Sequence, residues 1–72
     1  MPSEVHYLDA VALTEPIPNH GLQRGQVGTV VEVLDEDVFE VEFSDNEGQG
    51  YAIAAVRADQ LLVLHHEPAE NG

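Results

Sequence analysis

The chain has no cysteine and no lysine, few aromatic residues and no long apolar run. Each absence excludes something. Without cysteine there is no disulfide framework, no thiolate metal site and no cysteine nucleophile. Without lysine, the only strong cations are Arg24 and Arg57, set against fourteen carboxylates, and the formal net charge is -12. Nucleic-acid affinity comes largely from Lys and Arg displacing counterions from phosphate, so direct binding to DNA or RNA has almost nothing to work with. Two phenylalanines and two tyrosines are too few for a base-stacking platform or for the aromatic groove that grips proline-rich peptides. No apolar run approaches membrane-spanning length, and the start "MPSEVHYLDA" has neither the positive nor the apolar region of a signal peptide. No membrane association is expected, and the cytoplasm is the expected compartment.

What is present suits one small folded domain. Seventy-two residues are close to the minimum for a self-sufficient apolar core and too few for a deep substrate cavity. An apolar fraction of 43% is too high for a disordered chain even at this net charge, so a core beneath an acidic surface is expected. Polar ends are assigned to a frayed segment over residues 1–5 and a flexible tail over residues 65–72, with the domain between them at 6–64.

Within the domain the apolar segments are short and β-branched. "YLDAVALT" (Tyr7 to Thr14) reads as a first strand, with Asp9 an awkward charge within it. "EPIPNHGLQRG" reads as a long loop, because two prolines one residue apart fit neither a central strand nor a helix interior; Leu22 is expected to fold back onto the core. "QVGTVVEVL" (Gln26 to Leu34) is a second strand with apolar residues on both faces, and Gly28 is the expected site of a bend or bulge. After a turn at Asp35-Glu36-Asp37, Phe39, Val41 and Phe43 alternate with Val38, Glu40 and Glu42, which fixes inside and outside. A turn at Asp45 to Gly48, a strand "QGYAIAAV", a single 3₁₀ turn at "RADQ" and a last strand "LLVL" (Leu61 to Leu64) complete the chain.

Five short strands, a long first loop and one 3₁₀ turn before the last strand define an all-β, SH3-like barrel. Its expected interior is Val11, Leu13, Leu22, Val30, Val33, Phe39, Val41, Phe43, Ile53, Val56, Leu61 and Val63. Gly21, Gly25, Gly28 and Gly48 are expected to serve turns and bends.

Several blocks in order, Asp9-Ala10-Val11-Ala12-Leu13, Gly21-Leu22 through Val31, Phe39 to Phe43, Asp45 to Gly48 and a closing segment ending at Leu61, resemble a family of small bacterial proteins called domain of unknown function 4926. The chain departs from that pattern at Val56, where leucine is usual, and at Gly50, where threonine is usual. The resemblance implies an SH3-like barrel and carries no activity with it.

Chemistry-bearing constellations are sparse. The Gly25-x-x-Gly28-x-Val30 step resembles the start of RNA-gripping strands in ribosome-associated barrels, but only Arg24 beside it is basic, and Glu32, Glu40 and Glu42 are the outward residues that follow. The acidic turns lack calcium-loop spacing, and His65 and His66 are adjacent in a tail and point apart, so no metal or other cofactor is expected. No hydroxyl is accompanied by a nucleophile motif, so no catalytic residue is assigned and an enzyme is not expected. Asp9 is expected to accept backbone N–H bonds from the long loop or to join Glu32, Glu40 and Glu42 in an acidic interaction patch. The function this favours is an acidic interaction module for a basic protein partner, of antitoxin, immunity or accessory-subunit type. The alternatives are a nucleic-acid- or ribosome-associated barrel and a homo-oligomer that meets through Leu62 and Leu64.

Overall fold

A computed structural model of the protein describes residues 4–44 and 51–64. Five strands, β1 (Ala10–Leu13), β2 (Val27–Asp35), β3 (Val38–Ser44), β4 (Tyr51–Arg57) and β5 (Leu61–Val63), form one antiparallel sheet in the order β4-β3-β2-β1-β5. This is the expected SH3-like arrangement: a meander of four strands, with the fifth returning to pair with the first. Inward residues of all five strands share a single apolar cluster, so the sheet curls around its own core. Among the described residues no ladder joins β4 to β5, and these two strands are the free edges.

The alternation of β3 is what organises the core. Phe39, Val41 and Phe43 are buried, while Val38, Glu40 and Glu42 are only half-covered on the other face. The phenylalanines are large, and the inner positions facing them on β4 are correspondingly small: Ala52 opposes Phe43 and Ala54 opposes Val41, with Val56 opposite Phe39. This phase places Ile53 on the outer face, 50% exposed, and corrects its expected place in the core. Ile53 and Val56 are three residues apart in an extended strand and cannot share a face.

Val33 is the second correction. It pairs with Phe39 yet is 50% exposed. The β1 ladder on β2 runs only from Val27 to Thr29, so the far half of β2 has β3 alone beside it and projects past the core. Val63 is partly buried against the cluster, and Ala12, Ala54 and Val5 join the buried set. Val5 thus packs with the domain, although it lies in the segment expected to be frayed.

Strand β1 begins at Ala10, later than Tyr7, because residues before it form a turn. Leu8 takes a left-handed φ of 72°, and the His6 and Asp9 backbones are tied to one another. The long loop carries a 3₁₀ turn of its own at Pro18–His20, capped by Gly21 at φ 67°, in addition to the anticipated one at Ala58–Gln60. Ile17 and Leu22 bridge across its base and Leu22 is buried, plugging the core as expected.

Gly28 is not the bulge. A Cβ there would lie 2.6 Å from the Glu42 carbonyl oxygen, 2.7 Å from Phe43 Cδ1 and 2.8 Å from Val41 Cγ1, so glycine is required for close packing of β2 on β3. The extra residues in β2 are Val31 and Leu34, where the register slips against β3. Gly25 does serve a turn, at φ 88°; Gly48 lies outside the described residues.

Candidate functional site

The outer face of β2, β3 and β4 collects the acidic residues anticipated from the sequence. In one cross-strand row Thr29 stands opposite Glu42 and Glu42 opposite Ile53; in the next, Glu32 stands opposite Glu40 and Glu40 opposite Ala55. Regular alternation would put Val30 and Glu32 on the same face, with Glu32 turned inward. The bulge at Val31 reverses the phase and delivers Glu32 to the outer face, directly across from Glu40. A local irregularity therefore creates the pair.

That pairing is electrostatically unfavourable. Like charges directly opposite on a β-ladder destabilise it. Among the described residues the ion pairs are Arg57–Asp59, at 3.1 Å, and the contact of His6 with Asp9, at 3.7 Å; neither involves Glu32, Glu40 or Glu42. The outer face thus carries carboxylates with no cation of the described residues paired to them, beside the exposed Ile53.

Asp9 does not belong to this face. Its Oδ2 accepts the His6 backbone N–H at 2.8 Å, and its own N–H donates to the His6 carbonyl at 3.0 Å. The anticipated backbone donor therefore comes from the preceding turn and not from the long loop. Asp9 holds the chain's entry into β1, and the acidic patch reduces to Glu32, Glu40 and Glu42.

A polar cluster built around Gln60 was not anticipated. Its Oε1 accepts the Arg57 N–H at 3.0 Å, and its Nε2 donates to Glu15 Oε2 at 2.8 Å, while its carbonyl accepts the Thr14 N–H at 2.9 Å. Gln60 thereby ties the 3₁₀ turn to the start of the long loop and closes the end of the β4 edge. The available signal was the capping pattern, a glutamine three residues after the N-cap. At the other edge, Glu4 and Val5 line a shallow groove with Leu61, Leu62 and Val63 of β5.

Among the described residues no three His, Asp or Glu side chains come together as metal ligands would, and no helix is long and apolar enough to cross a membrane. The acidic turn at Asp45–Gly48 and the His65-His66 pair lie outside the described residues.

Residues 7–63 match the family described as a domain of unknown function (DUF4926). The chain belongs to that family. The matched span opens within the His6–Asp9 turn and closes with β5, so it takes in the whole sheet and the acidic face on it. No curated protein and no solved structure matches the chain.

Proposed function

We propose that this DUF4926 protein is a non-enzymatic interaction module that presents the outer face of β2, β3 and β4 to a basic protein surface. One observation carries the reading: Glu32 and Glu40 are held directly opposite each other, with Glu42 one row away and no cation of the described residues paired to any of them. The isolated protein carries the cost of that arrangement, and a partner that brings Arg or Lys to the face removes it. The same charge distribution opposes phosphate, which disfavours the nucleic-acid reading, and opposes a second copy at net charge -12, which disfavours self-association.

The test is co-expression with the products of adjacent genes, with wild-type protein and the triple variant Glu32→Gln, Glu40→Gln, Glu42→Gln compared at low and high salt. The reading expects a complex that forms with wild type, weakens steeply as salt rises and is lost in the triple variant. A complex indifferent to the three substitutions would refute it, as would tight RNA binding by the isolated protein at physiological salt.

A further inference from the structure

The two free edges of the sheet are not equivalent. The bond from the Ala58 N–H to the Asp37 carbonyl, 2.8 Å, spans the Val38–Arg57 pair, which identifies that pair as one whose own backbone groups point away from each other. Counting along the ladder, Val56, Ala54 and Ala52 exchange hydrogen bonds with β3, whereas Arg57, Ala55 and Ile53 direct their N–H and C=O groups outward. The Arg57 N–H confirms the phase, because it is taken up on the outer side by Gln60 Oε1. Ile53 and Ala55 have no such cap among the described residues. They leave two donors and two acceptors aligned on an open edge, the template an added strand pairs with.

The side chains beside this edge define what would pair with it. Ile53 and Ala55 both lie on the outer face, so the residues of an added strand opposite them lie there too. A residue opposite Ile53 meets a half-exposed apolar side chain. A residue opposite Ala55 is in line with Glu40 and then Glu32. Strands are spaced at about 4.8 Å, so the Cα of that residue lies roughly 10 Å from Glu40, within the combined reach of an Arg or Lys and a Glu side chain. Only a methyl group stands between them. The opposite edge offers less, because β5 has three residues and its groove is lined by Glu4 and Val5.

We infer that the β4 edge at Ile53 and Ala55 receives an extended segment of a basic partner by β-strand addition, antiparallel, with an apolar residue opposite Ile53 and Arg or Lys opposite Ala55. The antiparallel direction makes the recognised pattern basic–x–apolar. This rests on the acidic-face reading above and adds to it the seat and the sequence pattern of the partner.

The test is an amide-resolved NMR titration of the full chain with the synthetic peptide Thr-Arg-Thr-Val-Thr-Arg-Thr-Val-Thr, and with a control in which Gln replaces both Arg. The expected result is slowed hydrogen exchange at the Ile53 and Ala55 amides, by tenfold or more, on addition of the Arg peptide. Ala55→Pro removes one outward N–H that the β3 ladder does not use, so it should retain the fold and lose the peptide. Glu40→Gln should weaken binding by up to about fivefold, less at high salt. Peptide contacts at the carboxylates without protection of the two amides would overturn the edge while leaving the acidic-face reading intact. Equal protection by the Gln peptide would overturn the basic occupant. Protection of both amides in the free protein, dimerisation through β4, or no binding at all would overturn the inference as well.

Discussion

The two faces of the β2–β3 ladder are built from the same strands and are under opposite constraints. Inward, Gly28 sits against Phe43 and Val30 against Val41, and at Gly28 even one added carbon overlaps a backbone oxygen. Outward, Thr29 meets Glu42 and Glu32 meets Glu40, a like-charge pair with no cation of the described residues beside it. The inner face is arranged for the stability of this chain alone. The outer face adds no such stability, and on the proposed reading that difference separates what folds the protein from what it offers to a partner.

The comparison is broken most severely from inside. Gly28→Val should leave no folded population at 25 °C, read as loss of any cooperative transition in chemical denaturation followed by circular dichroism. Overpacking typically costs about 1–3 kcal/mol where side chains can move aside, but here the nearest atom is the Glu42 backbone oxygen, which cannot. Phe43→Ala, which empties the largest fully buried side chain, should cost roughly 3–5 kcal/mol in the same measurement. For a chain of this length, at about 0.05–0.15 kcal/mol per residue, that is a large share of the total.

Much of the inner face could be read from residue types alone. Strict alternation over Phe39 to Phe43 gives the phase of β3 without ambiguity, and with it the sheet and most of the core. The failures come where a second strand must match the first. Arg57 shares its parity with Ala55 and Ile53, so the polar end of β4 already marked Ile53 as outward, but hydrophobicity outweighed that signal. In β2, two bulges reset the alternation, and nothing in "TVVEVL" says which valine is the extra one. Glu32 was correctly expected to face outward together with Glu40 and Glu42, while its direct opposition to Glu40 depends on the bulge. For Asp9 the role of backbone N–H acceptor is legible, but its donor, the His6 N–H within the preceding turn, is not encoded by strand patterning. The open edge was illegible for a similar reason: which amides point outward is a property of pairing, not of residue type.

A smaller effect separates two kinds of glycine. Gly21 and Gly25 have positive φ, and apart from the glycine itself and its chain neighbours nothing lies within 4 Å of where their Cβ would be. Their substitution costs only the left-handed backbone conformation, so Gly25→Ala should destabilise by about 1–2 kcal/mol and leave the protein folded. A loss as large as that of Gly28→Val would mean that the turn before β2 is packed more tightly than its open surroundings indicate.

The smallest effect has the opposite sign. Removing a charge from the opposed pair should stabilise the isolated protein: Glu40→Gln is expected to gain about 0.2–1 kcal/mol at low ionic strength, and the gain should shrink as salt is added. Glu42→Gln is the internal control, because Glu42 faces Thr29 and Ile53 rather than another carboxylate. Both substitutions make the net charge less negative by the same amount. A larger gain at Glu40 than at Glu42 assigns the cost to the Glu32–Glu40 row itself. Equal gains would assign it to the overall charge of -12, and the outer face would then be no more poised for a basic partner than any other part of this acidic surface.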